Sequence, residues 1–156
     1  MKKSILIVVG IFCFVCINNQ ASAQNKQAYF KSVTKKIMNY LLEYDTAGIH
    51  NLFEEDKRYY GATDAIEIDS KLMSTIVKKY GVGVLDSMVL EKGENDENVV
   101  VVTLLNTPDS SLNLKKCELV VFFYPDRFLA YSKKILNYVI ARTFLMEPEK
   151  KLIRLE

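Results

Sequence analysis

The chain has little of the residues on which most catalytic and metal sites depend. Its 156 residues include one histidine, three cysteines and no tryptophan. Structural and catalytic zinc sites need several His or Cys ligands, so we expect no metal site. A histidine-dependent nucleophile would have to use His50, and the sequence has no nucleophile-elbow motif to accompany it. We therefore expect no catalytic residue set and no cofactor.

Glycine and proline are also scarce, with six and three residues. A phosphate-binding loop needs closely spaced glycines so that the backbone can approach the phosphates. Gly81 and Gly83 are followed by neither a third glycine nor a lysine-serine pair. The chain also lacks repeats, low-complexity segments and a Pro/Gly-rich linker. These absences argue against the common nucleotide-binding motifs and predict one domain.

Long hydrophobic runs are absent except near the amino end. Lysines precede the apolar residues 5–17, and Ala21-Ser22-Ala23 follow them. This order is typical of a secretory signal peptide, and the run is shorter than the roughly 20 residues that span a bilayer. We expect residues 1–23 to be removed after Ala23, the protein to be exported to the periplasm or beyond, and no stable transmembrane segment to remain.

Cysteine is nearly absent from the expected mature protein. Cys13 and Cys16 fall within the signal, so residues 24–156 keep only Cys117. A lone cysteine cannot form an internal disulfide, and the apolar run KKCELVVFF predicts a buried side chain rather than a reactive thiol. The minor alternative is a lipid anchor on Cys16, which is disfavoured because Val15 occupies a position where lipoprotein signals carry a small residue.

The expected mature domain has no excess of charge. Two of the 21 Lys and Arg residues lie in the signal, and the rest balance the 19 acidic residues. A neutral domain gives no electrostatic reason to expect nucleic acid or an anionic membrane as a partner. The remaining length of about 130 residues suits a single domain that buries roughly two-thirds of its unfolded surface. We expect a single domain over residues 24–156 and no nucleic-acid partner.

The first half of the domain has helical periodicity. Apolar residues recur every three or four positions over residues 25–44 and predict an amphipathic helix. Asp45 is placed to cap a short second helix. This structural role accounts for Asp45 without a pairing to His50, which lies five residues later. Residues 56–69 read as a loop. A third helix follows, capped by Asp69 or Ser70 and ended by Gly81.

The second half has strand-like periodicity. Residues 82–91 and 99–105 flank the polar KGENDEN and predict an antiparallel hairpin. Residues 117–124 predict a third strand. Residues 128–131 and 135–145 also fit a helical stripe, but their β-branched and aromatic residues favour strand, and KLIRL is a possible last strand. Helices followed by strands predict an α+β fold, with N-terminal helices packed on one curved antiparallel sheet.

Four residues are candidates for ligand binding. His50 could form a helix-surface pair with Glu54 one turn later, could be half-buried, or could line a pocket as an acid or base. The first two alternatives, which are structural, are favoured. Tyr59 and Tyr60 either seal the edge of the core or rim a ligand cavity. Arg142 needs a partner if it faces inward, and inside a cavity it would form an anion site.

The order of elements resembles one known superfamily. A long first helix, then YDTAGIHNLFEED with Asp45, Ile49 and the Leu52-Phe53 pair, then KKYGVGVLDSMVL and an antiparallel meander, is similar to the nuclear transport factor 2-like, or SnoaL-like, superfamily. The resemblance implies a cone in which a curved sheet wraps around helices and leaves a pocket at its open end. Enzymatic members usually place Asp-His or Tyr groups on pocket-facing strands. No predicted strand here contains histidine, so the resemblance supports the fold more than it supports an enzyme.

We therefore expect an exported, non-enzymatic binding module whose cone holds a small ligand. The alternative is a protein-interaction module, such as an exported inhibitor or immunity-type protein, and an enzyme is the third possibility. A ligand module should have a pocket lined by Tyr59, Tyr60 or Arg142. An interaction module should have a filled cone and a broad exposed apolar or charged face.

Overall fold

The computed structural model describes residues 24–53, 63–94, 97–125 and 134–145. The elements follow in this order: helix α1 (24–43), helix α2 (Thr46–His50), helix α3 (Thr63–Tyr80), a 3₁₀ helix (Val82–Asp86), and strands β1 (Met88–Lys92), β2 (Asn98–Leu105), β3 (Leu114–Phe123) and β4 (Ile135–Phe144). Helices on the N-terminal side pack with a four-stranded antiparallel sheet, which confirms the predicted α+β fold.

Helix α1 agrees with the amphipathic pattern. Its buried stripe comprises Phe30, Val33, Ile37, Met38 and Leu41. The helix ends before Tyr44, which has φ +56. Asp45 then caps α2, as predicted, because its Oδ1 accepts the Gly48 N–H at 2.8 Å. Local capping and periodicity are sufficient to define this part of the fold.

Helix α3 begins at Thr63, so the loop prediction is wrong for residues 63–69. Asp64 lies in the first turn, where a carboxylate stabilises the helix dipole. Ile66 is buried on the same stripe as Met73 and Ile76 and extends it toward the amino end. The charged residues around Ile66 concealed this periodicity. Asp69 and Ser70, predicted as caps, lie inside the helix instead.

The segment after α3 also differs from prediction. Gly81 has φ +84 and ψ 167, a backbone region essentially restricted to glycine, so its predicted role as the helix stop is confirmed. The first half of the predicted strand 82–91 is wrong, because Val82–Asp86 forms a 3₁₀ helix and the strand begins at Met88. Gly83 contributes no side chain and weakens strand formation there.

The sheet has the strand order β1-β2-β3-β4, and every neighbouring pair is antiparallel. The predicted hairpin across KGENDEN is confirmed, and so are the third strand and the choice of strand over helix for β4. Strand β3 begins at Leu114, three residues before the predicted start. The other predicted strand segments, residues 128–131 and 151–155, lie outside the described residues.

One face of the sheet packs on α1 and α3, and we call it the inner face. The Phe30 ring on α1 lies 4.4 Å from the Phe123 ring on β3. The most completely buried side chains of this layer come from both helices and from the sheet: Ile37, Leu41, Met73, Ile76, Val100, Val102, Leu119 and Val121. The described part of the space between helices and sheet is therefore filled by apolar side chains.

Candidate functional site

The structure places His50 and Arg142 at opposite ends of β4. Helix α2 ends at His50, and the chain just after it pairs with the start of β4 through the Ile135 N–H, which donates to the Leu52 carbonyl at 3.0 Å. Arg142 lies seven residues along that strand, or about 23 Å at strand spacing. Tyr59, Tyr60 and Glu54 lie outside the described residues. The two described candidates do not form one site.

Arg142 belongs to a half-buried ion pair. It lies directly opposite Cys117 on β3, and its Nη2 donates to Asp69 Oδ1 on α3 at 2.5 Å. The Arg142 and Asp69 side chains are 28% and 14% exposed. Arg142 Nε is buried and has no hydrogen-bond partner among the described residues, and the same holds for the hydroxyl of neighbouring Ser70. Asp69 therefore balances the Arg142 charge, and an anionic ligand would have to compete with that carboxylate.

Burial dominates the electrostatics around this pair. It raises the pKa of the Asp69 carboxyl, while Arg142 opposes the shift. It also raises the pKa of the Cys117 thiol to about 11. Cys117 is therefore protonated at neutral pH, and a protonated, buried thiol is a poor nucleophile. This geometry is suited to holding α3 against β3 and β4.

A second polar cluster surrounds Asp109 in the loop between β2 and β3. The buried Asp109 carboxylate accepts hydrogen bonds from Lys79 Nζ and the Tyr80 hydroxyl, both at 2.6 Å, and from the Ser111 hydroxyl at 2.8 Å. These donors, Lys79 first, hold the pKa of Asp109 well below its usual range. Because its donors converge from α3 and from its own loop, the carboxylate joins the end of α3 to the β2–β3 loop.

The face of the sheet opposite the helices, which we call the outer face, is unexpectedly apolar. Val89, Val101, Val120 and Val139 are directly paired across all four strands and form one row, named here the valine row. Val89 is 55% exposed and Val139 is 43% exposed, at the two ends of the row. An adjacent row adds Phe122, which is half-buried, and Val99, which is buried. The outer face thus presents a continuous apolar strip.

Clefts lined by described residues lie at the surface. One of about 420 Å³ lies between the end of α1 and α3, beside Tyr44, Glu67 and Ser70. Another of about 380 Å³ lies on the outer face near the β1–β2 turn. The second has an apolar floor and a charged rim. It therefore combines two features that binding surfaces use, exclusion of water and electrostatic selection.

The sequence prediction missed the outer face, although the sequence carries a signal for it. Antiparallel strands with one solvated face alternate apolar and polar residues. In contrast, NVVVV in β2 and ELVVFF in β3 are nearly continuous apolar runs. Such runs indicate that both faces of the central strands avoid water. The prediction also missed the Asp69–Arg142 pair, whose members are 73 positions apart.

Within the described ranges, no cluster of His, Cys, Asp and Glu side chains is arranged to hold a metal ion. The helices in these ranges are likewise too short or too polar to cross a membrane. The chain has no match among protein-family models, curated proteins or solved structures.

Proposed function

We propose that the protein is an exported protein-interaction module that binds its partner through the outer face of the sheet. The single observation that carries this proposal is the valine row. It crosses the four described strands, its two ends, Val89 and Val139, are 55% and 43% exposed, and its central members are half-buried. Removing apolar surface from water lowers the free energy of the system. Contiguous exposed apolar patches therefore commonly mark interaction sites.

The composition of the central strands supports the same proposal. Residues 99–102 of β2 and 119–123 of β3 are apolar on both faces, a pattern found in sheets that are covered on both sides. Among the described elements, α1 and α3 pack on the inner face alone. A partner packed on the outer face would cover the apolar residues that the described elements leave in contact with water.

The packing between the helices and the sheet favours a protein partner over a small ligand. Small-molecule sites are usually concave cavities that enclose most of the ligand. The described part of the space between the layers is filled by side chains that are almost completely buried, such as Ile37, Met73 and Val121. Arg142, the candidate anion-binding residue, is paired with Asp69. These features leave a small ligand with less support than an apolar partner surface.

Site-specific photo-crosslinking in the organism that makes the protein tests the proposal. A benzophenone amino acid placed at Val89 or Val139 should cross-link to one specific protein. The same group placed at Ala28, which is exposed on α1 on the helical side of the molecule, is the matched control and should cross-link to none. Cross-linking at Ala28 equal to that at Val139 would contradict the proposal.

Substitution of the same positions provides an independent measurement. Val89→Asp and Val139→Asp place a charge on the contact surface and should abolish capture of the cross-linked partner. Ala28→Asp introduces the same charge on the helical side and should leave capture unchanged. Circular dichroism would verify that all three variants are folded. If both valine variants captured the partner as before, and native mass spectrometry showed a retained small molecule, the result would favour small-ligand binding in the cone instead.

A further inference from the structure

We infer that the outer face selects a partner segment in which apolar side chains are flanked by lysine or arginine. This inference rests on the proposed function and specifies the chemistry of the partner. It is carried by the cleft near the β1–β2 turn. Its floor is formed by Val99, Val101, Val120 and Phe122 from β2 and β3. This floor continues the valine row, so an apolar side chain placed there would contact the strip.

The rim of the cleft is net negative. It carries the three carboxylates of Glu91, Glu94 and Glu97 and the single ammonium group of Lys92. Glu91 and Glu94 are exposed. Charges at the rim of an apolar contact mainly select the partner and accelerate encounter, and they disfavour partners of like charge. A basic segment therefore complements this rim, whereas an acidic segment does not.

The turn that carries the rim is held close to the floor. A Cβ added to Gly93 would lie 2.7 Å from Glu97 Oε2 and 3.3 Å from Val99 Cγ2. The absence of a side chain at Gly93 therefore permits the rim to approach the apolar floor. Consequently, a bound side chain can place its apolar part on the valines while its charged end reaches a carboxylate, as lysine and arginine side chains do.

A second copy of the chain is a poorer occupant of the cleft. A two-fold contact that places one cleft on the other would bring together two net-negative rims, each carrying the carboxylates of Glu91, Glu94 and Glu97. Like charges directly opposed across an interface are unfavourable. The charge of the rim therefore favours a basic partner segment over self-association through this cleft.

Methyl NMR with a defined probe tests the inference. The probe is a synthetic seven-residue peptide that alternates lysine with leucine, and the comparison peptide has glutamate in place of each lysine. Both would be titrated into the protein carrying ¹³C-labelled valine methyl groups. We expect the lysine peptide to shift the Val101 and Val120 resonances and to bind at least tenfold more tightly than the glutamate peptide. The core valines Val100 and Val121 serve as internal controls and should not shift.

Charge reversal isolates the rim. The double variant Glu91→Lys and Glu94→Lys should weaken binding of the lysine peptide at least tenfold. The variant Glu43→Lys and Asp64→Lys makes the same change in net charge on exposed helical positions and should bind as the unmodified protein does. Equal shifts with both peptides, or no shift of Val101 and Val120, would overturn the inference. Sedimentation equilibrium could instead show a dimer, with methyl NMR showing that these methyl groups are covered in it. That result would also overturn the inference and assign the face to a second copy.

The outcomes separate this inference from the proposed function. Partner capture that depends on Val139 but not on Glu91 and Glu94 would leave the interaction module standing and remove the basic partner. The lysine peptide could bind in a way that depends on the rim although no specific protein is cross-linked. That outcome would support the charge selectivity of the cleft and contradict the proposed interaction module.

Discussion

The two faces of the sheet are built from the same strands and nearly the same residue types, yet they have different environments. On β3, Val121 and Phe123 face the helices and are almost completely buried. Their neighbours Val120 and Phe122 face the other way and are only partly buried. The difference lies in what packs above each face, because successive strand residues point to opposite sides. Apolar character alone therefore does not identify the core of this protein.

The largest expected effect tests the inner face. Phe123→Ala should lower the free energy of unfolding by about 3–5 kcal/mol, because it opens a cavity beside the Phe30 ring. Phe122→Ala removes the same atoms from the outer face and should cost less than half as much. Urea denaturation of both variants measures the difference. Equal losses would show that the two faces are energetically alike.

The next effect concerns the ion pair at the margin of the inner face. Arg142→Met should destabilise by about 2–3 kcal/mol at neutral pH, below the roughly 3–5 kcal/mol typical of fully buried pairs, because water reaches both side chains. Asp69→Asn in the Arg142→Met background should restore part of the loss, since the unpaired carboxylate is then gone. A double variant no more stable than Arg142→Met would show that Asp69 is not the source of the loss.

The same pair predicts a pH dependence. Burial raises the pKa of Asp69 in the folded protein above its unfolded value. Its contribution to stability is therefore complete below the unfolded pKa and declines as pH rises through the folded pKa. Because Arg142 opposes the shift, Arg142→Met should raise the pKa of Asp69 further. The destabilisation should then be largest near pH 7 and shrink toward about pH 4. Urea denaturation at both pH values measures it, and a constant difference would contradict the prediction.

A smaller change tests polarity on the two faces. Cys117→Ser introduces a hydroxyl at a fully buried inner position and should cost about 1–3 kcal/mol if the hydroxyl finds no partner. Ala141→Ser is the matched control, because Ala141 is exposed on the outer face of the neighbouring strand, and it should be nearly neutral. Thermal unfolding of both variants under reducing conditions would show the contrast. A neutral Cys117→Ser would mean that the inner face at this point tolerates polar groups.

The smallest expected effect belongs to the valine row. Val139→Thr keeps the β-branched shape and should change the free energy of unfolding by no more than about 0.5 kcal/mol. A loss above about 1 kcal/mol in urea denaturation would show that the outer face is a second core rather than a contact surface.

The parts of the fold that the sequence predicted are those determined by local contacts. The cap at Asp45, the stripe of α1 and the β1–β2 hairpin depend on residues close together in the chain. The start of α3 was missed because one buried residue, Ile66, lies among charged ones. The Asp69–Arg142 pair was not predictable, because the partner of Arg142 is determined by how α3 lies across β4. Of the four candidate residues, the structure describes two and separates them.

The buried carboxylate of Asp109 has a consequence for how the molecule opens. It binds Lys79 and Tyr80 at the end of α3, while its own backbone pairs with Leu114 through two hydrogen bonds of 2.7 and 3.1 Å. Separating the end of α3 from the β2–β3 loop would remove the Lys79 and Tyr80 donors and leave the buried carboxylate with the hydroxyl and backbone N–H of Ser111. The last turn of α3 and the Asp109–Leu114 bridge should therefore open as one cooperative unit, and their amides should share one free energy of opening in native-state hydrogen exchange.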